Sequence, residues 1–495
     1  MTRYLSIISL GVVIMSRLSV LLWGAMISLL FAVSCGEKDS SEDKNDNTTD
    51  GVADTDSDEP SITVVDNPPK NDNENVEEND IVSDDLLSDD EQPDNGPTPL
   101  EVIEDWTTYW SFESTPQDRG MAMAIDAVGN LFVAGENTEM SFPEDENFTT
   151  DGPFFLTKLA SDGTIVWSVL SDAIGWVHQG SFLAVDADGN CVVASSDNSQ
   201  IHVTKFDGDG GTSWSSSFGS DAKDYANAIA LDSAGDGYIT GLTRGALYGN
   251  TYGGGNDAFL MKIDADGAFV WAKQWSDDKQ NQAHAVTLDG NGNIYVVGRT
   301  EDNADPDGGG DREHAFLVKF DTQGNRLWSK NWGVPEHWGI GYAVAVDTAG
   351  NIFAAGITSG AFEGNTSAGD ADIFVTMFDA DGTLLWTRQF GTDAWDQTYT
   401  IALDGKGHVF TAGTASNSAY CIETGCDYSF LFAAYDYAGN LIYFNEWGGG
   451  QYNEINSIVT GTNGDLFLTG HATADMVDPD PAQTGEVFLS RFSVQ

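Results

Sequence analysis

The sequence has few basic residues, and this shortage limits the partners that the protein can bind. Its 495 residues include 21 Lys and Arg against 78 Asp and Glu, which gives a formal net charge of −57. A surface of this sign repels nucleic acid and anionic membrane surfaces. We therefore expect no nucleic-acid partner, and we expect any membrane contact to be made through a covalent lipid.

The sequence also lacks the short motifs of common hydrolases. It contains neither the Gly-x-Ser-x-Gly nucleophile motif nor the His-Glu-x-x-His zinc motif, and its 7 histidines do not recur at metal-ligand spacing. We therefore expect a protein that binds rather than one that catalyses. A polysaccharide-active hydrolase or lyase remains an alternative, because two carboxylates from separate parts of the chain suffice for that chemistry.

Cysteine is scarce, and the four cysteines suggest three different roles. Cys421 and Cys426 enclose Ile-Glu-Thr-Gly and are candidates for a small disulfide in an oxidising compartment. A zinc site at this pair is not expected, because no histidine or third cysteine accompanies it. Cys191 falls within an apolar strand and is expected to be a buried free thiol, whereas Cys35 follows an N-terminal apolar run.

Long hydrophobic runs are absent apart from residues 18–33, which follow Arg17. This run is short for a membrane span and has the length of a signal-peptide core. It ends in Phe31-Ala-Val-Ser-Cys35, which resembles the bacterial lipobox. The resemblance implies a lipoprotein signal peptide over residues 1–34, with Met15 as a plausible true start, and lipidation of Cys35. We therefore expect a lipid-anchored protein of the bacterial outer membrane or cell surface.

Residues 35–100 are predicted to form an acidic disordered linker between the lipid and a folded domain over residues 101–495. By count, residues 36–105 hold 25 acidic residues and 3 lysines. Such a segment cannot bury enough apolar surface to fold, and its like charges repel one another. We interpret it as a stalk.

The folded region consists of one pattern repeated seven times. Each unit reads apolar strand, Asp-x-x-Gly-Asn, apolar strand ending in Gly, variable loop, apolar strand, Asp-x-x-Gly, and a strand carrying Trp. The first turn glycines recur at intervals of 46 to 60 residues, and they are Gly129, Gly189, Gly235, Gly292, Gly350, Gly407 and Gly464. Short strands at such a period predict an all-β, seven-bladed β-propeller of four-stranded antiparallel blades.

The seventh unit ends before its Trp-bearing strand, and a matching strand occurs at the other end of the domain. Trp106 and Trp110 have the spacing of Trp271 and Trp275. We therefore expect the N-terminal strand to complete the last blade, which removes two unpaired sheet edges.

The repeat resembles the bacterial β-propeller repeats called SBBP repeats. The matching phrases are Ala-Ile-Ala-Leu-Asp-Ser-Ala-Gly-Asp-Gly-Tyr-Ile-Thr-Gly at 228–241 and Asn-Asp-Ala-Phe-Leu-Met-Lys-Ile-Asp at 256–264. This resemblance implies the propeller architecture and a surface or secreted protein. The Asp-x-x-Gly…Trp phrase also resembles the tryptophan-docking motif of quinoprotein-type propellers, although packing alone explains these tryptophans.

In a propeller, the inter-blade loops and the loops between second and third strands share one face, which we call the loop face. One of these loops carries carboxylates around Gly308-Gly-Gly and is a candidate Ca²⁺ site; the alternative is a solvated acidic loop. No other cofactor is expected. The candidate metal ligands are Asp302, Asp305, Asp307 and Asp311.

Inter-blade loops carry aromatic residues that either complete the packing or bind a ligand by stacking. They are Trp176, Tyr225, Trp338, Trp395 and Tyr452. We expect a monomeric, membrane-tethered binding or scaffolding module for an envelope or extracellular protein. A calcium-dependent, lectin-like propeller that binds a glycan is the first alternative.

Overall fold

The computed structural model describes residues 63–65, 100–112, 118–137, 154–171, 182–197, 199–276, 280–302, 312–416, 428–448, 453–472 and 486–495. The chain divides into two compact units, residues 1–59 and residues 60–495, and every described residue belongs to the second. Regular structure in the described residues consists of β-strands. Seven antiparallel sheets contact one another in cyclic order through their inner strands. This ring confirms the predicted seven-bladed β-propeller.

The strands are numbered in chain order, and each of blades 1 to 6 runs from its innermost to its outermost strand. Two strands precede the first blade: β1 (Thr63–Val65) and β2 (Val102–Ser111). Blade 1 contains β3 (Asp118–Ile125), β4 (Leu131–Asn137), β5 (Phe154–Leu159) and β6 (Ile165–Ser171). Blade 2 contains β7 (Leu183–Val185), β8 (Cys191–Ser196), β9 (Ile201–Phe206) and β10 (Thr212–Phe218). Blade 3 contains β11 (Asp224–Leu231), β12 (Gly237–Thr243), β13 (Asp257–Ile263) and β14 (Phe269–Trp275). Blade 4 contains β15 (Asn281–Leu288), β16 (Ile294–Asp302), β17 (Arg312–Phe320) and β18 (Arg326–Trp332). Blade 5 contains β19 (Gly339–Val346), β20 (Ile352–Thr358), β21 (Asp372–Phe378) and β22 (Leu384–Phe390). Blade 6 contains β23 (Trp395–Leu403), β24 (His408–Ser416), β25 (Tyr428–Asp436) and β26 (Leu441–Trp447). Blade 7 contains β27 (Glu454–Thr460), β28 (Leu466–Ala472) and β29 (Glu486–Val494), and it is completed by β2.

The hairpin turns of the blades are built by an aspartate and a glycine. In blade 1 the Asp126 carboxylate accepts the backbone N–H groups of Val128 and Asn130, at 3.0 and 2.8 Å. Gly129 has a φ of +93°, a conformation that glycine adopts at little cost. Asp264 accepts two backbone N–H groups in the same way at a turn between third and fourth strands. We call the side of the ring that carries these hairpins the turn face, and its repeated aspartates stabilise turns.

The outermost strand of a blade carries a tryptophan that packs on the next blade. The Trp214 indole N–H donates to the Ala265 carbonyl at 3.1 Å, and a Cβ added to Gly267 would lie 2.7 Å from the indole. The same contact of ring on turn glycine occurs at six junctions: Trp106–Gly163, Trp167–Gly210, Trp214–Gly267, Trp271–Gly324, Trp328–Gly382 and Trp386–Gly439. Only glycine leaves room for the indole, so the repeated Gly and Trp form one inter-blade contact.

The glycine near the end of the second strand makes room for a β-bulge in the first strand. In blade 1 the pairing of β3 with β4 shifts between Gly120 and Ala122, so Met121 is the extra residue. A Cβ on Gly135 would lie 1.7 Å from the Arg119 carbonyl oxygen, and the bulge therefore requires glycine at this position. Equivalent bulges in blades 3 to 7 have as their extra residues Asn227, His284, Tyr342, Tyr399 and Asn456.

The apolar cores lie between neighbouring blades. One core joins Phe132 and Phe154 of blade 1 with Phe182 and Cys191 of blade 2. Cys191 is a buried free thiol, as predicted, and burial raises the pKa of this thiol well above its ordinary value. Because each core is shared by only two blades, the domain does not need a single large core.

The ring closes because β2 becomes an outer strand of blade 7. β2 pairs with β29 in antiparallel register over most of its length. Trp110 is fully buried, and Trp106 packs on Gly163 of blade 1. The backbones of Glu101 and Gln495 exchange two hydrogen bonds of 3.2 and 3.0 Å. These contacts confirm the predicted closure by the N-terminal strand.

A three-residue strand from the predicted linker extends blade 7. In β1, Thr63 lies opposite Ser111 and Val65 lies opposite Tyr109 of β2. This pairing gives blade 7 a fifth strand and covers the backbone edge of β2, which would otherwise be unpaired. The linker prediction did not include this strand. Apart from β1 and Leu100, the predicted linker lies outside the described residues.

Candidate functional site

The inner strands present partly exposed side chains to the axis of the ring. In five blades, one residue near the start of the inner strand is partly exposed, while the residues directly before and after it are buried. This residue occupies the same register position in all five blades. These five residues lie on the innermost strands and keep part of their surface accessible, so they border the central channel that a propeller encloses. All five lie where the inner strand follows an inter-blade loop, and they surround an opening that we call the channel mouth: Arg119, Tyr225, Gln282, Gln397 and Glu454.

The bulged residues form a second layer below the channel mouth. The ring of Tyr342 lies 4.9 Å from that of His284 and 5.0 Å from that of Tyr399, so the contact crosses blades 4, 5 and 6. Burial raises the pKa of Tyr342 to about 12 and raises the pKa of Tyr399 well above its ordinary value. Both tyrosines nevertheless remain partly exposed. The two tyrosines are therefore largely surrounded by protein but retain some contact with solvent.

Two tryptophans extend this aromatic layer to the loop face. The rings of Trp338 and Trp395 lie 5.3 Å apart at an interplanar angle of 30°. Each stands four residues before the bulged tyrosine of its own blade: Trp338 directly precedes β19, and Trp395 is the first residue of β23. We call these four residues the aromatic wall, which runs across blades 5 and 6.

Hydrogen bonds from neighbouring strands fix the backbone of the aromatic wall. The Trp338 carbonyl accepts the Ser359 N–H at 3.1 Å and the Thr358 hydroxyl at 3.3 Å. The Trp395 carbonyl accepts the Ser416 hydroxyl at 3.2 Å. Trp395 is the first residue of β23 and Trp338 directly precedes β19, so both backbones are fixed, and the mutual stacking of the rings preorganises them for contact with a ligand.

Charged groups of blades 7 and 1 lie beside the aromatic wall. Arg119 and Glu454 form an ion pair at 3.9 Å. Burial and the nearby Arg119 lower the pKa of His471 to about 4, so this histidine is neutral at physiological pH. After burial, nearby Tyr342 and Glu454 also raise the pKa of Tyr399. The tyrosines of the aromatic wall and the charged groups of the channel mouth are therefore close enough to interact electrostatically.

Several polar groups at the channel mouth have no hydrogen-bond partner in the described part of the protein. The Tyr399 hydroxyl donates to Gln397 Oε1 at 3.2 Å, which orients the Gln397 amide. The described residues supply no acceptor for Gln397 Nε2 and no partner for the Gln282 amide or the Tyr342 hydroxyl. A ligand or water can therefore bind these groups without displacing a protein contact.

A buried pair of carboxyl groups lies between blades 5 and 6. Asp372 and Asp396 are both 0% exposed, and a Cβ on Gly391 would lie 2.2 Å from Asp396 Oδ2 and 2.7 Å from Asp372 Oδ1. Thr392 donates its N–H and its hydroxyl to Asp396. Burial, together with the nearby Asp372 and Glu446, raises the pKa of Asp396 to about 7, although the hydrogen bonds from Thr392 act in the opposite direction. The carboxyl groups lie below the loop face, where they organise a loop.

Two of the loops on the loop face are built alike. In blade 5 the Gln389 amide donates to Asp372 at 2.7 Å, and in blade 3 the Gln274 amide donates to Asp257 at the same distance. Each glutamine also donates to a backbone carbonyl of its loop. The carboxylates of these loops therefore stabilise the loops themselves.

The structure places three of the five predicted ligand-face aromatics. Tyr225 lies at the channel mouth, and Trp338 and Trp395 stack on each other as part of the aromatic wall. Trp176 and Tyr452 lie outside the described residues, as do Cys35 and the candidate disulfide Cys421–Cys426.

The calcium prediction stays a prediction. Asp302 ends β16 opposite Arg312, and Asp305, Asp307 and Asp311 lie outside the described residues. Within the described residues, no group of three or more His, Cys, Asp or Glu side chains could hold a metal ion.

The sequence predicted Tyr225 at the channel mouth but not Arg119, Gln282, Gln397 or Glu454, and it predicted neither the bulged residues nor the buried carboxyl pair. The variable loops were expected to carry the binding residues, whereas these groups lie on the inner strands, apart from Asp372, which starts β21. The available signal was the regular glycine of the second strand, because it marks the bulge and hence the inner-strand residues that face the axis.

Comparisons with known proteins agree with a repeat protein but do not identify a family. No protein-family model matches the chain. The uncharacterized WD repeat-containing protein L264 of Acanthamoeba polyphaga mimivirus is 27% identical over 157 residues, which are 32% of this chain and 9% of that protein. The chain thus matches less than a tenth of the length of this curated relative.

The chain is similar to the following solved structures only at low sequence identity and with TM-scores below 0.5. The WD40 domain of Neurospora crassa Pan2 is 10% identical with a TM-score of 0.42, and the match covers 76% of this chain and 89% of that domain. A protein of unknown function from Dyadobacter fermentans is 10% identical with a TM-score of 0.43, covering 80% of this chain and 99% of the other.

In the part of the chain that the structure describes, no helix is long and apolar enough to cross a membrane. The β-propeller fold itself suggests a module for protein interaction or scaffolding.

Proposed function

We propose that this chain is a lipid-anchored surface propeller of the SBBP-repeat type that binds an envelope or extracellular partner through its loop face. Lipidation of Cys35 would tether it to the bacterial outer membrane or cell surface, and the acidic linker would hold the propeller away from the lipid. The observation that carries the binding role is the channel mouth, where a preorganised aromatic wall lies beside polar groups without protein partners.

The contrast between the two faces supports this assignment. On the turn face, hairpin aspartates such as Asp126 and Asp264 accept backbone N–H groups of their own turns. Around the channel mouth, the Gln282 amide and the Tyr342 hydroxyl have no partner among the described residues. Exposed polar and aromatic groups that do not stabilise the fold are the groups available for recognition.

The face assignment predicts that Gln282→Arg weakens binding to the envelope, while Gln323→Arg does not. Both residues belong to blade 4, and both substitutions add the same charge. Gln282 lies at the channel mouth, whereas Gln323 is exposed in a hairpin on the turn face. We expect Q282R to lower the affinity about tenfold or more, because it fills the mouth and adds an unpaired charge.

The measurement is binding of the labelled, purified variants to envelopes from cells that lack the protein. Equal binding by Q282R and wild type, or an equal loss in both variants, would contradict the loop-face assignment. Unchanged circular dichroism and unfolding midpoints would show that each variant remains folded.

The anchor predicts that Cys35→Ser moves the protein from the membrane fraction to the soluble fraction. The thiol is the lipid acceptor, and residues 36–105 are too acidic to bind an anionic membrane directly. Incorporation of a labelled fatty acid should be lost in C35S and retained in Cys426→Ser. Retention of label in C35S would show that the chain is lipidated elsewhere.

A further inference from the structure

We infer that the aromatic wall and the adjacent channel mouth bind a neutral saccharide. This inference rests on the proposed binding role of the loop face and names the chemistry of its partner. Its basis is the combination of a preformed aromatic surface, unpartnered amide and hydroxyl groups, and a charge balance that disfavours anionic ligands.

The aromatic surface has a shape suited to sugar rings. Trp338 and Trp395 are partly exposed and stack on each other at an interplanar angle of 30°, and hydrogen bonds hold their backbones, so the faces that a ligand can meet are those turned away from the stacking partner. The weakly polar C–H face of a pyranose packs on such a surface through dispersion and through contact with the negative face of the indole. Tyr342 and Tyr399 continue the surface into the channel.

The hydrogen-bonding groups beside this surface suit hydroxyl groups. Gln397 Nε2 and the Gln282 amide offer donors, and the Tyr342 hydroxyl offers both a donor and an acceptor, while the described residues occupy none of these groups. Sugar hydroxyls donate and accept in the same way and can therefore pair with amides without a charge. Buried polar groups that are paired only in the complex also provide selectivity for such a ligand.

The charges around the site favour a neutral ligand over a polyanion. The chain carries a net charge of −57, which repels uronate-rich or sulfated polymers at long range. Arg119 could neutralise a carboxylate, but it already forms an ion pair with Glu454. A neutral saccharide requires neither a free cation nor desolvation of additional charge.

A peptide fits the described residues of the site less well. Peptides are commonly bound by strand addition at a free sheet edge or by apolar pockets that receive side chains. The inner strand of each blade is a sheet edge, but it lines the channel and packs on the inner strands of the neighbouring blades, and the described channel-mouth side chains are polar or aromatic rather than aliphatic pockets. A protein partner is accordingly an outcome for the test to detect.

The test measures binding of the full chain to cellohexaose, laminarihexaose, mannohexaose and hexagalacturonic acid by calorimetry and tryptophan fluorescence. We expect at least one neutral hexasaccharide to bind and hexagalacturonic acid not to bind. Trp338→Ala and Trp395→Ala should each weaken binding about tenfold, and Trp395→Phe should restore part of the loss. Phe444→Ala is the matched control, because Phe444 is 42% exposed on the outer strand β26, away from the channel.

The outcomes separate this inference from the proposed function. Absence of binding to every neutral hexasaccharide, or equal binding by W338A, W395A and wild type, would overturn the saccharide site. If Q282R still abolished binding to envelopes and protease treatment of the envelopes did the same, the loop face would bind a protein and only the saccharide inference would fail. If Q282R bound envelopes normally while hexasaccharide binding required Trp338 and Trp395, the proposed envelope contact would fail and the saccharide site would stand.

Discussion

A chain that begins at residue 113 is expected not to form a folded ring. This truncation removes β2, whose Trp110 is fully buried and whose Trp106 packs on Gly163 of blade 1. Loss of a single buried aromatic side chain costs about 3–5 kcal/mol, and loss of the whole strand also exposes the edge of β29. Because a domain of this kind has a total stability of about 5–15 kcal/mol, we expect an insoluble product or a product without a cooperative unfolding transition.

The matched control is a chain that begins at Gly96. It lacks β1 but retains Leu100, whose N–H donates to the Ile442 carbonyl at 3.4 Å. We expect it to unfold cooperatively in guanidinium chloride with nearly the midpoint of the longer chain, because β1 contributes three residues at a sheet edge. A peptide of residues 99–112 should restore folding of the truncated chain by strand addition. Cooperative unfolding of the residue-113 chain without this peptide would show that β2 is dispensable.

The ring could be predicted from the sequence because its determinants are local and repeated. Each hairpin turn needs a glycine with positive φ, as at Gly129, and six of the seven junctions pair a tryptophan with the turn glycine of the next blade, as at Trp214 and Gly267. Both requirements leave residues at fixed spacing in every unit. The absence of one such strand at the end of the chain then identified the N-terminal segment as its replacement.

The channel mouth could not be predicted in the same way, because it depends on the bulge and on contacts between blades. Trp338, Trp395 and Tyr452 each stand nine residues before the first residue of a hairpin turn, but this register acquires meaning only once the strands surround an axis. The structure shows the consequence for Trp338 and Trp395, whose rings meet across a blade junction. Blade 2 shows the converse, since Ser195 replaces the bulge-permitting glycine and the inner strand β7 has three residues.

The Asp372–Asp396 pair should lower the stability of the propeller as the pH rises, and Asp396→Asn should remove this part of the pH dependence. The folded protein raises the pKa of Asp396 from 3.8 to about 7, because burial and the nearby Asp372 disfavour the charged form. The stabilising effect of this proton is therefore complete below pH 4 and is lost as the pH rises through 7. We expect the gain in stability from D396N to be larger at pH 8.5 than at pH 5.5 by about 2 kcal/mol. Guanidinium chloride unfolding at these two values measures it and avoids the isoelectric range near pH 4.1.

Blade 4 supplies the reciprocal experiment. Asn281 of blade 4 occupies the position that Asp396 has in blade 6, and Asp257 of blade 3 occupies the position that Asp372 has in blade 5. The backbone shows this equivalence, because the N–H of Asn281 donates to the residue before Asp257 and the N–H of Asp396 donates to the residue before Asp372. Asn281→Asp should therefore create a second buried carboxyl pair and destabilise the protein more at pH 8.5 than at pH 5.5.

Asp224→Asn is the control for these variants. Asp224 starts the inner strand of blade 3, and the residue of blade 2 that lies near it is Gln200 rather than a second aspartate. Its carboxylate accepts the Ser220 N–H, so the amide should cost stability by a similar amount at both pH values. If D396N also changed stability equally at pH 5.5 and pH 8.5, Asp396 would ionise normally in the folded ring. The two buried carboxyl groups would then be stabilised as a pair of anions by the loop N–H groups around them.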